Sequence, residues 1–208
     1  MRKSLLILLL IINSSNLSLS QEGLQLGVDV SPCWVLNTHR QKSSGIRSAE
    51  SGYGFNAGLA LKYWFSEKVA VNSGLTFEYN AFDNRFNNQL ISSRRFGSLH
   101  LPVMVNYAMS GNWYLLFGGG INYNVINQSW SGYGVDISSQ INAFQPYGGI
   151  GVSTLMERDK GLFEFGVTSR YHFLELWESD AVLFDVSNFT SRILSFDLIL
   201  RFYLFQKV

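Results

Sequence analysis

Several residue types that stabilise or link soluble domains are scarce in this sequence. Its 208 residues include one cysteine, Cys33, so no internal disulfide can form. Only three prolines are present, and charged residues make up 15% of the chain, against roughly 25% in typical soluble proteins. After the first twenty residues, no apolar run approaches the roughly 18 residues of a membrane-spanning helix. These absences exclude a disulfide-stapled domain and a helical membrane protein, and they argue against long linkers.

The first twenty residues form a segment of their own. Arg2 and Lys3 precede an apolar run at 5–12 and a polar stretch at 13–20, which predicts a signal peptide over residues 1–20. A single mature domain then covers residues 21–208. Removing the signal peptide leaves 16 − 2 = 14 basic residues against 15 acidic ones, a formal charge of −1. This balance predicts no nucleic-acid partner.

A period of two dominates the mature chain. In "GYGFNAGLALKYWF" (52–65), large apolar residues alternate with glycine, asparagine and lysine, as in a strand with two different faces. Eight segments repeat the pattern, at 24–35, 52–66, 69–80, 96–109, 113–126, 144–157, 161–174 and 192–206. Three-residue connections alternate with polar connections of about 15 residues. The pattern predicts an all-β fold: an eight-stranded antiparallel up-and-down transmembrane β-barrel, with short periplasmic turns and long outer loops, in the cell outer membrane.

The two faces of the strands indicate which side is inside. Leucine and valine fill one parity, and aromatic residues gather at both of its ends, as expected where a barrel wall meets the two membrane–water boundaries. The other parity carries glycines and a lumen charge network of nine ionisable residues: Asp29, Lys62, Glu78, His100, Glu164, Arg170, His172, Asp197 and Arg201. Hydrocarbon is then the apolar partner and the polar face is the lumen. The alternative is a soluble lipocalin-like barrel, which would have to bury these charges or expose two aromatic girdles to water.

Three segments resemble a known family. The strand "LHLPVMVNY" (99–107), with its Leu-x-Leu-Pro start and later tyrosine, is similar to the PorT-like outer-membrane β-barrel family of Gram-negative bacteria. The glycine-rich strands "LFGGGINYNV" (116–125) and "YGGIGVS" (147–153) also resemble that family. The resemblance covers essentially the whole mature chain. It implies the same barrel fold, and for members similar to the founder it implies an accessory role in protein export.

The lumen charges leave several functions open. Neighbouring strands could pair Arg201 with Glu164 and Asp197 with Arg170, and we expect the result to be a salt-bridged plug, since eight strands leave little room inside. The alternatives are a proton or ion path through a narrow pore, and a lipid-modifying enzyme using His172 with Ser169 or Ser191. No nucleophile elbow, metal-ligand spacing or cofactor motif occurs, so we predict neither enzyme activity nor a cofactor. Pro102 and Pro146 lie inside strands and predict β-bulges.

The predicted outer loops differ in charge. Loops 37–51 and 81–95 each carry a net charge of +2, whereas loop 175–190 carries −4. We predict an interaction surface formed by the charged residues of these loops: Arg40, Lys42, Arg47, Arg85, Arg94, Arg95, Glu175, Glu178, Asp180 and Asp185. The expected partners are outer-membrane lipid, lipopolysaccharide and a protein bound at the loops, besides the outer-membrane assembly machinery. Closure of the barrel further predicts salt bridges between loop 37–51 and loop 175–190.

Overall fold

The fold is a closed barrel of eight antiparallel strands. The computed structural model describes residues 23–41, 47–86, 89–131, 142–158, 161–174 and 189–204. The strands are β1 (Gly23–Gln41), β2 (Arg47–Ser66), β3 (Val69–Phe86), β4 (Gln89–Ser110), β5 (Trp113–Ser131), β6 (Phe144–Arg158), β7 (Gly161–His172) and β8 (Phe189–Leu204). Each strand pairs with its neighbour in the chain, and β8 pairs with β1. The predicted fold class is therefore confirmed. The described residues include no helix that is long and apolar enough to cross a membrane.

The strand register determines the width of the barrel. Starting at Leu26 and following the cross-strand partners once around the wall leads back to β1 at Leu36, a stagger of 36 − 26 = 10 residues. With eight strands, this stagger gives a strand tilt of about 40° and a backbone radius of roughly 8 Å. Such a barrel has room for its own inward side chains and little else.

The two faces of the wall differ as the alternation predicts. Outward Leu101 and Val103 are 52% and 55% exposed, whereas inward Lys62 and Glu164 are 0% exposed. Aromatic pairs mark both boundaries of the apolar wall, with Trp34 and Phe196 at the outer end and Phe163 and Phe202 at the turn end, at ring-centroid distances of 5.7 and 4.6 Å. The turn between β4 and β5 needs a left-handed residue, which Gly111 supplies with a φ of 57°. Nonpolar side chains face the lipid, and the charged side chains of the wall point into the interior.

The strands are longer at the outer end than the alternation predicts. Much of the predicted loops 37–51 and 81–95 is strand, because β1 extends to Gln41, β2 starts at Arg47, and β3 and β4 extend to Phe86 and Gln89. Above the outer aromatic girdle the barrel wall continues as what we call the projecting sheet, formed by residues 189–195, 35–41, 47–52, 80–86, 89–98 and 124–131. β6 starts and β7 ends at the level of the girdle. At about 2.5 Å of height per tilted residue, the sheet rises roughly 15–25 Å above it.

The prediction of β-bulges at Pro102 and Pro146 is wrong. Pro102 pairs with Gly120 and Pro146 with Ile121 with no change of register. The register shifts lie elsewhere, at Trp64/Ser66, Asn84/Arg85, Gly97/Ser98 and Ala108/Ser110. A proline removes one hydrogen-bond donor, but a bulge needs an extra residue in one strand, and neither proline brings one.

Candidate functional site: the filled lumen and the outer end

The interior of the barrel is built in layers. The inward residues of β8 show the order of these layers from the outer end to the turn end: Ile193, Ser195, Asp197, Ile199, Arg201 and Tyr203. Ile193, Ile199 and Tyr203 belong to three separate apolar clusters. Asp197 and Arg201 belong to two polar clusters that lie between them. We refer to these as the upper cluster, around Arg170, and the lower cluster, around Glu164.

In the upper cluster, Arg170 holds two carboxylates. Its Nε and Nη2 donate to the two Asp197 oxygens, each at 2.6 Å, and its Nη1 donates to Glu78 Oε2 at 2.7 Å. Asn80 donates to Glu78 at 2.6 Å, and Asn122 at 3.0 Å. The two-pronged contact with Asp197 is the geometry that a guanidinium favours. The structure therefore brings Glu78, Arg170 and Asp197 of the lumen charge network into one ion-pair cluster.

In the lower cluster, Glu164 is the central acceptor. Lys62 Nζ lies 3.3 Å and Arg201 Nη1 3.6 Å from its Oε2. Neutral donors complete the shell: Ser153 (2.8 Å), Tyr203 (3.0 Å), Asn106 (3.1 Å) and Asn72 (3.3 Å). The nearer partner of Arg201 is Asp29, at 2.5 Å. Four more members of the network thus share one buried site, and each cation faces an anion.

The two lumen histidines lie on either side of Tyr147. One ring nitrogen of His100 is 3.0 Å from the Thr76 hydroxyl and the other is 2.5 Å from the Tyr147 hydroxyl. The His172 ring lies 5.5 Å from the Tyr147 ring, and none of the described residues forms a hydrogen bond with its nitrogens. Gly120 makes room for this tyrosine, since a Cβ there would lie 2.4 Å from the Tyr147 hydroxyl oxygen. Sequence reasoning missed Tyr147, although its parity places it among the inward residues.

Apolar clusters close the lumen at both ends. At the outer end, Phe82 and Phe96 pack together with Val35, Cys33 and Ile193. At the turn end a larger cluster combines Ala60, Trp64, Ala70, Tyr114, Leu155, Leu162 and Tyr203. Between the two polar clusters lies a cavity of about 30 Å³, lined by Asp29, Arg170 and Asp197 among others. That volume has room for a water molecule, but it does not make a continuous passage.

The enzyme hypothesis finds little support in this geometry. His172 is buried in the lumen, whereas Ser169 lies on the opposite parity and lines a groove on the lipid-facing side of the wall. The barrel wall therefore separates the two groups. The side chain of Ser191 lies outside the described residues. Within the described segments, no three His, Cys, Asp or Glu residues are grouped closely enough to hold a metal ion.

The outer end contains part of the predicted loop surface. Arg94 is not an exposed loop residue as predicted: it lies on β4, points into the projecting sheet and forms an ion pair with Glu50 at 3.1 Å. Burial lowers the pKa of the Arg94 guanidinium, and the Glu50 carboxylate opposes this shift. Arg95 donates to the Phe82 carbonyl at 3.1 Å. The side chains of the other predicted surface residues lie outside the described residues: Arg40, Lys42, Arg47, Arg85, Glu175, Glu178, Asp180 and Asp185. The salt bridges predicted between loops 37–51 and 175–190 also lie outside the described residues.

A closed eight-stranded wall with an apolar outside, two aromatic girdles and a polar filling defines an outer-membrane β-barrel. A sequence model of one family, described as outer membrane protein beta-barrel domain, matches residues 14–173. The chain belongs to this family and is an outer-membrane protein. The narrower PorT-like resemblance stays a prediction, as does the signal peptide. No curated protein sequence matches the chain.

Solved barrels from three bacteria are similar in fold. Ail, the attachment invasion locus protein of Yersinia pestis, in complex with the heparin analogue sucrose octasulfate, is 14% identical over 88% of this chain and 100% of its own, with a TM-score of 0.44. OprG from Pseudomonas aeruginosa is 13% identical over 89% and 97% of the two chains, with a TM-score of 0.40. Neisserial surface protein A is 14% identical over 85% and 96%, with a TM-score of 0.40.

Proposed function

We propose that this protein is a non-conducting, non-enzymatic outer-membrane barrel that binds a protein partner through its projecting sheet. The observation that carries this proposal is the contrast between the two ends of the molecule. The lumen is filled by side chains, while the wall on one side continues roughly 15–25 Å beyond the girdle. A wall that served only to span the bilayer would not need these extra residues.

The filled lumen argues against a narrow pore. An ion crossing the barrel would have to displace Phe82 and Phe96 at one end and the Trp64–Tyr203 cluster at the other. It would also have to break the buried ion pairs Arg170–Asp197, at 2.6 Å, and Lys62–Glu164, at 3.3 Å. Separating buried partners costs several kcal/mol per pair. The charge network is therefore better explained as internal bracing of the barrel.

The form of the projecting sheet suits a protein partner. β5 pairs with β4 as far as Ser131, but its pairing with β6 ends at Tyr123. Along residues 125–131, no described strand pairs with the other edge of β5. A strand edge of this kind can accept an extended segment of another chain. The export-accessory role implied by the PorT-like resemblance would be one form of this function, with an exported protein or another secretion component as the partner.

Site-specific photo-crosslinking in the native membrane tests the proposal. A photoreactive residue at exposed Gln128 or Ser51, both in the projecting sheet, should give discrete protein adducts. The matched control is Leu59, which faces lipid on the same barrel and should give none. In parallel, the purified protein in planar bilayers should show no steady conductance. Steady conductance without adducts at Gln128 and Ser51 would reject the proposal in favour of a pore.

A further inference from the structure

The seam between the first and last strands is interrupted at mid-height. β1 and β8 are neighbours around the wall but not along the chain. Between the Asp29–Arg201 pair and the Cys33–Asp197 pair, three described residues of each strand have no backbone partner across the seam. The gap lies between the two aromatic girdles, where lipid surrounds the wall. Unpaired backbone groups are costly in lipid, so the seam needs other bonds at this height.

Pro32 accounts for the interruption. A proline has no N–H to donate to a sheet ladder, and Pro32 lies inside the gap on β1. Pro102 provides an internal comparison, because the β3–β4 ladder lacks its pairs at Leu101 and Pro102. A proline thus marks the gap in both ladders. The seam differs from the β3–β4 ladder in that its two strands are not consecutive in the chain.

Side chains bridge the seam at the gap. The Leu200 N–H of β8 donates to the Ser31 hydroxyl of β1 at 3.4 Å, and this hydroxyl donates to Asp29. Arg201 Nε donates to the other Asp29 oxygen at 2.5 Å. The Ser31 hydroxyl therefore takes the place of a backbone carbonyl, and Asp29 connects it to the charge pair. We call Ser31, Asp29 and Arg201 the seam latch.

The inner side of the gap is loosely packed. The cavity of about 30 Å³ between the two polar clusters is lined on the seam side by Asp29, Ser31, Ile199 and Arg201. All three residues of the seam latch therefore border this cavity. The cavity leaves room for the two strands to shift relative to each other.

We propose that the barrel wall can open laterally at the seam between β1 and β8, and that the seam latch keeps it closed. Elsewhere in the wall, neighbouring strands are also consecutive in the chain, which limits how far they can separate. At the gap the ladder is missing, and side-chain bonds maintain the closure. This device is independent of partner binding, since the gap lies below the projecting sheet.

Hydrogen–deuterium exchange of the full-length protein in lipid nanodiscs, followed by NMR at single amides, tests the seam latch. Ser31→Ala should accelerate exchange at residues 198–200 and 28–30 by about five- to tenfold, the change in population expected for one lost hydrogen bond. Both strands should respond, because both lose partners when the seam opens. Pro32→Val supplies an N–H and a residue suited to strands, so it should slow exchange at the same amides. In the Pro32→Val background, Ser31→Ala should change exchange by less than about twofold.

The matched control is Ser98→Ala. Ser98 is also a buried inward serine, and it donates to Asn124 on β5 at 2.6 Å, away from the seam. Its loss should leave exchange in β1 and β8 unchanged. The amides of Phe117 and Ile150 in the β5–β6 ladder report global unfolding. Equal acceleration there and at the seam in Ser31→Ala would overturn the proposal, as would acceleration confined to the Leu200 amide or unchanged exchange at the seam.

Discussion

Replacing Glu164 by glutamine tests whether the lower cluster braces the barrel. The change keeps the volume of the side chain and removes its charge. Lys62 is 0% exposed, and the only anion among its described contacts is Glu164, at 3.3 Å. At an effective dielectric constant of about 20, that pair is worth roughly 5 kcal/mol before the cost of desolvation. Arg201 keeps Asp29 at 2.5 Å, so the variant leaves mainly Lys62 without a counter-charge. We expect Glu164→Gln to lower the free energy of unfolding by about 3–5 kcal/mol.

A second substitution separates the charge from the packing. Lys62→Met in the Glu164→Gln background removes the unpaired cation and keeps a chain of similar length against Trp64 and Tyr203. The double variant should therefore recover about 2–3 kcal/mol of the loss. Unfolding in lipid vesicles, titrated with urea and followed by the fluorescence of the five tryptophans, gives these values. Exposed Glu157 provides the control, since Glu157→Gln at the rim should change nothing. A loss below about 1 kcal/mol, or no recovery in the double variant, would contradict the bracing role of the pair.

Two further perturbations test the wall and the outer seal. Leu101→Arg, on the lipid-facing side of β4, should destabilise the barrel in vesicles by about 2–4 kcal/mol. Met109→Arg on the same face near the turn should cost only about 0–1 kcal/mol, because the cost of a charge falls towards the interface. Equal losses in urea titrations would mean that the strand faces are assigned wrongly. Cys33 is 7% exposed in the apolar cluster at the outer end, so a polar maleimide should label it only after unfolding in urea. As a control, Ser66→Cys in a Cys33→Ser background should react at once. Rapid labelling of native Cys33 would show that the outer end of the lumen is open.

The sequence predicts the wall of the barrel well because the bilayer imposes a single rule on it. Most residues that face hydrocarbon are apolar, so the inward or outward direction of Leu101, Val103 and Ile150 can be read directly from the alternation. This requirement for apolar residues does not apply above the outer aromatic girdle, where both faces of a strand contact water or protein. Residues 37–41 and 81–86 therefore show no clean alternation, and they resemble loops although all of them are strand.

The layers of the lumen are harder to predict, since parity assigns a side chain to the inside but not to a height. Leu116 and Ile199 have the same parity as Asn106 and Asp197, yet they form an apolar layer between the two polar clusters. Their heights along the barrel axis depend on the stagger of ten residues around the barrel. This stagger is known only when the register of every strand pair is known. Tyr147 and Tyr203 were missed for a related reason. An inward tyrosine contributes an apolar ring to a seal and a hydroxyl to a charge cluster, so residue type alone does not indicate its role.

The layered interior also limits where specificity can lie. The cations of each polar cluster are balanced within the barrel, because each of them lies within ion-pair distance of a carboxylate. A change in the lumen should therefore alter stability without altering what the protein binds. We therefore expect recognition of a protein partner to depend on the outer surface of the projecting sheet. Glu164→Gln should then keep the Gln128 crosslinks in every folded molecule, although it destabilises the barrel. Loss of these crosslinks from folded Glu164→Gln protein would mean that the lumen takes part in recognition.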